Sequence, residues 1–112
     1  MRFMLFVCPE PDLELSPEDQ AALPSQVEAW ATDLADRGIR LMGHVFEPVG
    51  QAKTIRRRTD EVQITDGPVN TADQPIAGFN LLECDTPAQA VEVSATHPMA
   101  SHGALELRAI AA

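Results

Sequence analysis

Arg2-Phe3-Met4-Leu5-Phe6-Val7-Cys8 is apolar on both parities of an extended chain: Phe3, Leu5 and Val7 share one face, Met4, Phe6 and Cys8 the other. A strand apolar on both faces belongs in the middle of a sheet, with a layer on either side. Working outward, the chain supplies one such layer. Pro9 to Pro24 is acidic and proline-punctuated, and Ser16-Pro17-Glu18-Asp19 reads as a short helical turn with Ser16 as its cap. Ser25 and Glu28 then have capping-box spacing. Val27, Trp30, Ala31, Leu34 and Ala35 recur at helical intervals, which predicts a helix over Ser25 to Arg37 closed by Gly38. Thr86-Pro87 opens a second helix, with Ala88, Val91 and Ala95 as its apolar face and Pro98 as its stop.

The remaining apolar runs are strands. Ile39 to Phe46 is one, and Gly43 within it marks a bulge or a close backbone approach. Thr54 to Arg58 and Glu61 to Thr65 form a hairpin around Thr59-Asp60, stopped by Asp66-Gly67-Pro68. After a polar loop from Val69 to Ala77 come strands over Gly78 to Cys84 and Ala104 to Ile110. In the last, Leu105, Leu107 and Ala109 face one way, Glu106 and Arg108 the other. The order is strand, helix, strand, hairpin, strand, helix, strand. That is an α+β, ferredoxin-like β-α-β-β-α-β sandwich with an inserted hairpin. Two helices cover one face of such a sheet. Met4 and Phe6 on the other face therefore call for a second copy of the chain, sheet against sheet, unless the proline-rich loop covers them.

The 112 residues fit one domain over residues 1–112. Net charge is −9, which repels a phosphate backbone, and four Phe, one Trp and no Tyr give little for stacking on bases; nucleic acid is not an expected partner. No leader pattern and no apolar run of membrane length is visible, so the expected location is the cytoplasm, with Cys8 and Cys84 as free thiols. Nucleophile elbow, phosphate loop, dinucleotide fingerprint and CxxC are all missing from the sequence.

Ionisable residues on apolar strands and their loops are the candidates for chemistry. Asp66 reads either as a general base or ligand contact or as a side-chain-capped turn. His44, His97 and His102 titrate near neutral pH and suit proton transfer, or serve as hydrogen-bonded or surface residues. His97 and His102 are five apart with Pro98 between them and His44 is on another strand, so no metal-ligand spacing exists and neither metal nor cofactor is expected. Glu106 and Arg108 share a strand face, where Arg108 anchors an anionic ligand or the two pair with each other or across a dimer. The catalytic candidates are thus His44, Asp66 and His97, and the ligand-binding candidates Glu106 and Arg108. Arg56-Arg57-Arg58 alternate faces and read as a solvated hairpin; Trp30 reads as core.

Thr65-Asp66-Gly67-Pro68-Val69, Gly78-Phe79, His97-Pro98 and Gly103-Ala104-Leu105-Glu106-Leu107-Arg108 resemble, in that order, the YCII-related (DGPF-type) family. Earlier positions agree: the Arg2 to Val7 strand, the Gly38 turn, and Glu47-Pro48 before Thr54-Ile55-Arg56. The resemblance implies a ferredoxin-like protomer that forms a dimeric α/β barrel, in a family whose members mostly have no assigned activity. One branch, with a member that degrades chlorinated aromatics, looks to use a His on the first helix and an Asp near the end of the second. Here the first helix has no His, and His97 stands where that Asp is expected. The DGPF segment departs too: its Phe is Val69, the acidic residue two beyond is Thr71, and the Lys two further on is Asp73.

Three functions remain open on this reading. The first is a small-molecule enzyme, of lyase or isomerase type acting by proton transfer, with its site in the barrel or in the cleft between sheet and helices. The second is a non-catalytic ligand-binding or regulatory homodimer. The third is a structural interaction module whose interior is filled by side chains.

Overall fold

β1 (Arg2–Pro9) lies inside its sheet, where its two apolar parities predict it. In the computed structural model, which describes residues 1–69 and 74–111, it is followed by α1 (Pro17–Asp36), β2 (Arg40–Val45), β3 (Lys53–Arg58), β4 (Glu61–Asp66), β5 (Gly78–Glu83), α2 (Pro87–Ala95) and β6 (Gly103–Ala109). Thr71 and Asp73 fall outside the described residues. Four strands form one antiparallel sheet in the order β2-β5-β1-β6. This is the ferredoxin-like α+β arrangement. Among the described residues β3 and β4 pair only with each other.

The register separates the two faces of the sheet. Phe3, Leu5 and Leu82 face the helices and are buried with Trp30 and Leu34 of α1 and Ala90 and Val93 of α2. Trp30 ties the helices together: its indole N–H donates to the Val93 carbonyl at 3.2 Å and to Thr96 Oγ1 at 3.0 Å. Met4 and Phe6 lie on the opposite face beside Leu81, Phe79, Arg108 and Glu106 and are only half-buried. Cys8 and Cys84 are buried free thiols. Burial raises the thiol pKa of both, the Glu106 carboxylate adding to the effect at Cys8.

Several local expectations are corrected. The short turn at Ser16 and the helix from Ser25 are one helix of 20 residues. Ser16 Oγ accepts from the Asp19 N–H and Pro17 follows the cap, so the start signal is complete there. Pro24 sits inside, but it and Gln20 are exposed, and water can take the carbonyl that the missing N–H leaves free. Ser25 caps nothing; its hydroxyl donates to the Ala22 carbonyl. In α2 the buried stripe is Ala90, Val93 and Ser94, while Val91 is 60% exposed. Small and apolar residues lie on both sides of this short helix, and Ser94 hides its hydroxyl by donating to the Ala90 carbonyl at 2.6 Å. In β2 the register shifts between Arg40 and Met42, so the bulge precedes Gly43, and Gly43 itself is the close approach.

The β3–β4 hairpin turns at Thr59 and Asp60, both with positive φ as a two-residue hairpin turn requires. Ile55 and Ile64 are cross-strand partners, 68% and 67% exposed. With this arm the radius of gyration is 16.1 Å, against roughly 13 Å for a compact chain of this length.

Candidate functional site

The Gly43 approach leads to the site. A Cβ at residue 43 would sit 2.5 Å from Asn80 Oδ1 and 2.8 Å from the Phe79 carbonyl, and would overlap Arg40 Nη2. The glycine thus leaves room for the Arg40 side chain to lie across β2 toward β5. There its Nε–H donates to Asn80 Oδ1 at 2.8 Å. Asn80 is buried on the helix face, its cross-strand partners being Leu5 on β1 and Gly43 on β2.

Arg40 and Asn80 line a cleft of about 570 Å³ between the sheet and α1. Its other walls include Val7, Leu23, Val27 and Met99, together with His97. The volume is that of a typical small-molecule site. The second turn of α1, which the sequence reading left outside a helix, brings Leu23 to it. His97 follows α2 and caps the turn Pro98–Ser101: its Nδ1 accepts from the Met99 N–H at 3.0 Å, and its ring meets Trp30 edge-on at 4.6 Å between centroids. Burial, and then the charge of Arg40, lower its pKa to about 4. At neutral pH it is an uncharged imidazole whose proton is held on Nε2, because Nδ1 is the acceptor.

The polar groups in the cleft are therefore hydrogen-bond donors. No Asp or Glu lines it among the described residues. Arg2, Arg37, Lys53 and Arg108 each pair with a carboxylate; among the described residues Arg40 does not, and neither do Arg56, Arg57 and Arg58, which are exposed on the hairpin.

The other sequence candidates stand elsewhere. His44 shares the cleft wall, but by register its side chain is on the bare face of the sheet, tilted against Phe79 at 5.9 Å. Glu106 and Arg108 are also on the bare face, exposed, and joined by a 2.7 Å ion pair. Asp66 ends β4, pairs with Lys53, and has a side chain 81% exposed. The glycine after it takes φ +99° and its N–H donates to the Ala52 carbonyl, so Asp66-Gly67-Pro68 is here a turn. A second cleft, lined by Phe46, Glu47, Pro68 and Ile76 at the base of the hairpin, holds none of the candidates. Of the five, His97 alone reaches the donor cluster. Arg40 and Asn80 were missed; the signal that could have found them was Gly43. Among the described residues no three His, Cys, Asp or Glu side chains gather as metal ligands, and no helix is long and apolar enough to cross a membrane.

Comparison with known proteins gives two findings. The family model described as the YCII-related domain matches residues 1–112. A solved structure of 5-chloro-2-hydroxyhydroquinone dehydrochlorinase (TftG) from Burkholderia phenoliruptrix AC1100, in complex with 2,5-dihydroxybenzoquinone, is similar in fold. The TM-score is 0.51 at 12% identity, over 99% of this chain and 94% of that one. No curated protein matches the sequence.

Proposed function

The chain belongs to the YCII-related domain family, and on that premise we propose that it is a small-molecule enzyme whose site is the cleft between the sheet and α1. The observation that carries this reading is the convergence of Arg40, Asn80 and His97 on one apolar cleft. A neighbour of the same fold is a dehydrochlorinase that binds a ring-sized molecule, which supports a substrate of that size.

The chemistry that suits the cleft is proton transfer of lyase or isomerase type. A proton leaves a substrate carbon for water at the open mouth of the cleft, no carboxylate base lining it among the described residues, and the adjacent carbonyl oxygen gains the negative charge. A neutral imidazole N–H fixed in an apolar wall stabilises such an oxyanion without reorganising, and the Arg40 guanidinium adds a favourable positive field beside it. His97 is the donor in this scheme; its accepted bond from Met99 holds the proton where the substrate needs it. A screen of aromatic and lactone-like substrates tests the reading. Turnover of one of them should fall by about 10²-fold or more in His97→Gln. Turnover that survives His97→Gln would place the chemistry elsewhere.

The lack of a carboxylate in the described cleft wall favours a second reading, a ligand-binding or regulatory protein without turnover. Saturable binding in the cleft with no turnover across the screen would select it. An open cleft of this size argues against a purely structural module.

We further infer that the chain is a homodimer joined through the bare face carrying Met4, Phe6, Phe79 and Leu81, and that it works in the cytoplasm, where two unpaired buried thiols persist. Light scattering at micromolar concentration should return twice the chain mass, and Phe6→Glu should return the single mass. A wild-type monomer would overturn the dimer.

A further inference from the structure

Of the 25 residues that carry fixed charge, 17 are acidic and 8 basic. In such a chain carboxylates are abundant, and Arg40 nonetheless points into an apolar cleft with none beside it among the described residues. A half-buried guanidinium with no counter-ion is costly, and its Nε is already engaged with Asn80. Both Nη groups are left without a described protein acceptor. They form the end-on fork that matches the two oxygens of a carboxylate.

We propose that the cleft recognises its ligand by a carboxylate, seated on the two Nη groups of Arg40 with the ligand's apolar body against Val7, Leu23, Val27 and Met99. Asn80 positions the fork by accepting from Nε, and Gly43 makes room for it. The overall charge of −9 does not attract anions, so selectivity for a carboxylate arises within the cleft. This inference rests on the cleft being the functional site, as proposed above.

The test is a set of ring-sized carboxylates, each paired with its primary amide, benzoate against benzamide first, titrated into the intact protein and followed by NMR. The carboxylate should bind about tenfold or more tightly than its amide, the gain of a charge-assisted bond. Carboxylate binding should raise the His97 pKa from about 4, and amide binding should leave it there. Arg40→Gln should abolish the preference, and Arg40→Lys, which keeps charge without the fork, should retain part of it; the dispersion of the amide spectrum reports that each variant is folded. Equal binding within the pairs, or a preference that survives Arg40→Gln, overturns the carboxylate assignment and leaves the cleft as the site. Absence of binding by every member of the set overturns both.

Discussion

Both faces of the four-stranded sheet carry arginine, and Arg108 on one and Arg40 on the other are used in opposite ways. On the bare face Arg108 sits in the open and pairs with Glu106 two residues away on the same strand. On the helix face Arg40 is half-buried, braced by a neutral amide, and left without a carboxylate among the described residues. An exposed pair is worth little and restricts little. An unpaired, partly buried cation costs stability and is retained where a ligand supplies the missing charge. The residue type is the same, so composition cannot separate them; the layer above each one does.

Substitutions on the two faces should differ most in the core. Leu5→Ala, under both helices, should cost about 3–5 kcal/mol in denaturant unfolding. Phe6→Ala, one residue away on the bare face, should cost clearly less when measured well below the concentration at which the chain associates. Equal losses would mean that both faces are covered within one protomer.

The next effect is a pH dependence confined to the helix face. His97 titrates near 4 in the folded protein and near 6.5 when unfolded, so between these values the unfolded chain binds more protons. Stability is therefore full above about pH 6.5 and falls as pH drops toward 4, by at most about 3 kcal/mol. In His97→Gln this slope should flatten, read from urea midpoints across that window.

The smallest effects separate the two arginines. Arg40→Met should raise stability by about 1 kcal/mol in ligand-free protein while removing carboxylate binding. Arg108→Met should change stability by less than about 1 kcal/mol. A thermal melt of each variant, with and without benzoate, gives both values; destabilisation by Arg40→Met would show that the guanidinium holds the fold together.

Much of this contrast could be read from the sequence. The double apolar parity of Met4, Phe6 and their neighbours placed β1 centrally, and Thr86-Pro87 marked the start of α2 from local chemistry alone. Asp66-Gly67-Pro68 was legible as a turn because a positive φ at Gly67 explains it. The length of α1 was hidden by Pro24, which reads as a break when its exposure is unknown. His97 was visible as an ionisable residue in the loop after the second helix. Its partners were not: Arg40 and Asn80 are 40 residues apart and meet only through strand pairing. Nothing local distinguishes Arg40 from Arg37, which ends in solvent, paired with Asp33. Gly43 carried the one clue, since a glycine inside a strand asks what approaches it.

The β3–β4 hairpin has a consequence of another kind. It leaves the body after β2, forms no strand pairing with the main sheet among the described residues, and rejoins the chain before β5. Its opening therefore breaks no ladder bond in the four-stranded sheet. Hydrogen exchange should thus report the arm and the body as separable units of cooperativity. Change can accumulate in the arm, in length or in sequence, without passing through the core that holds Arg40 and His97 in place.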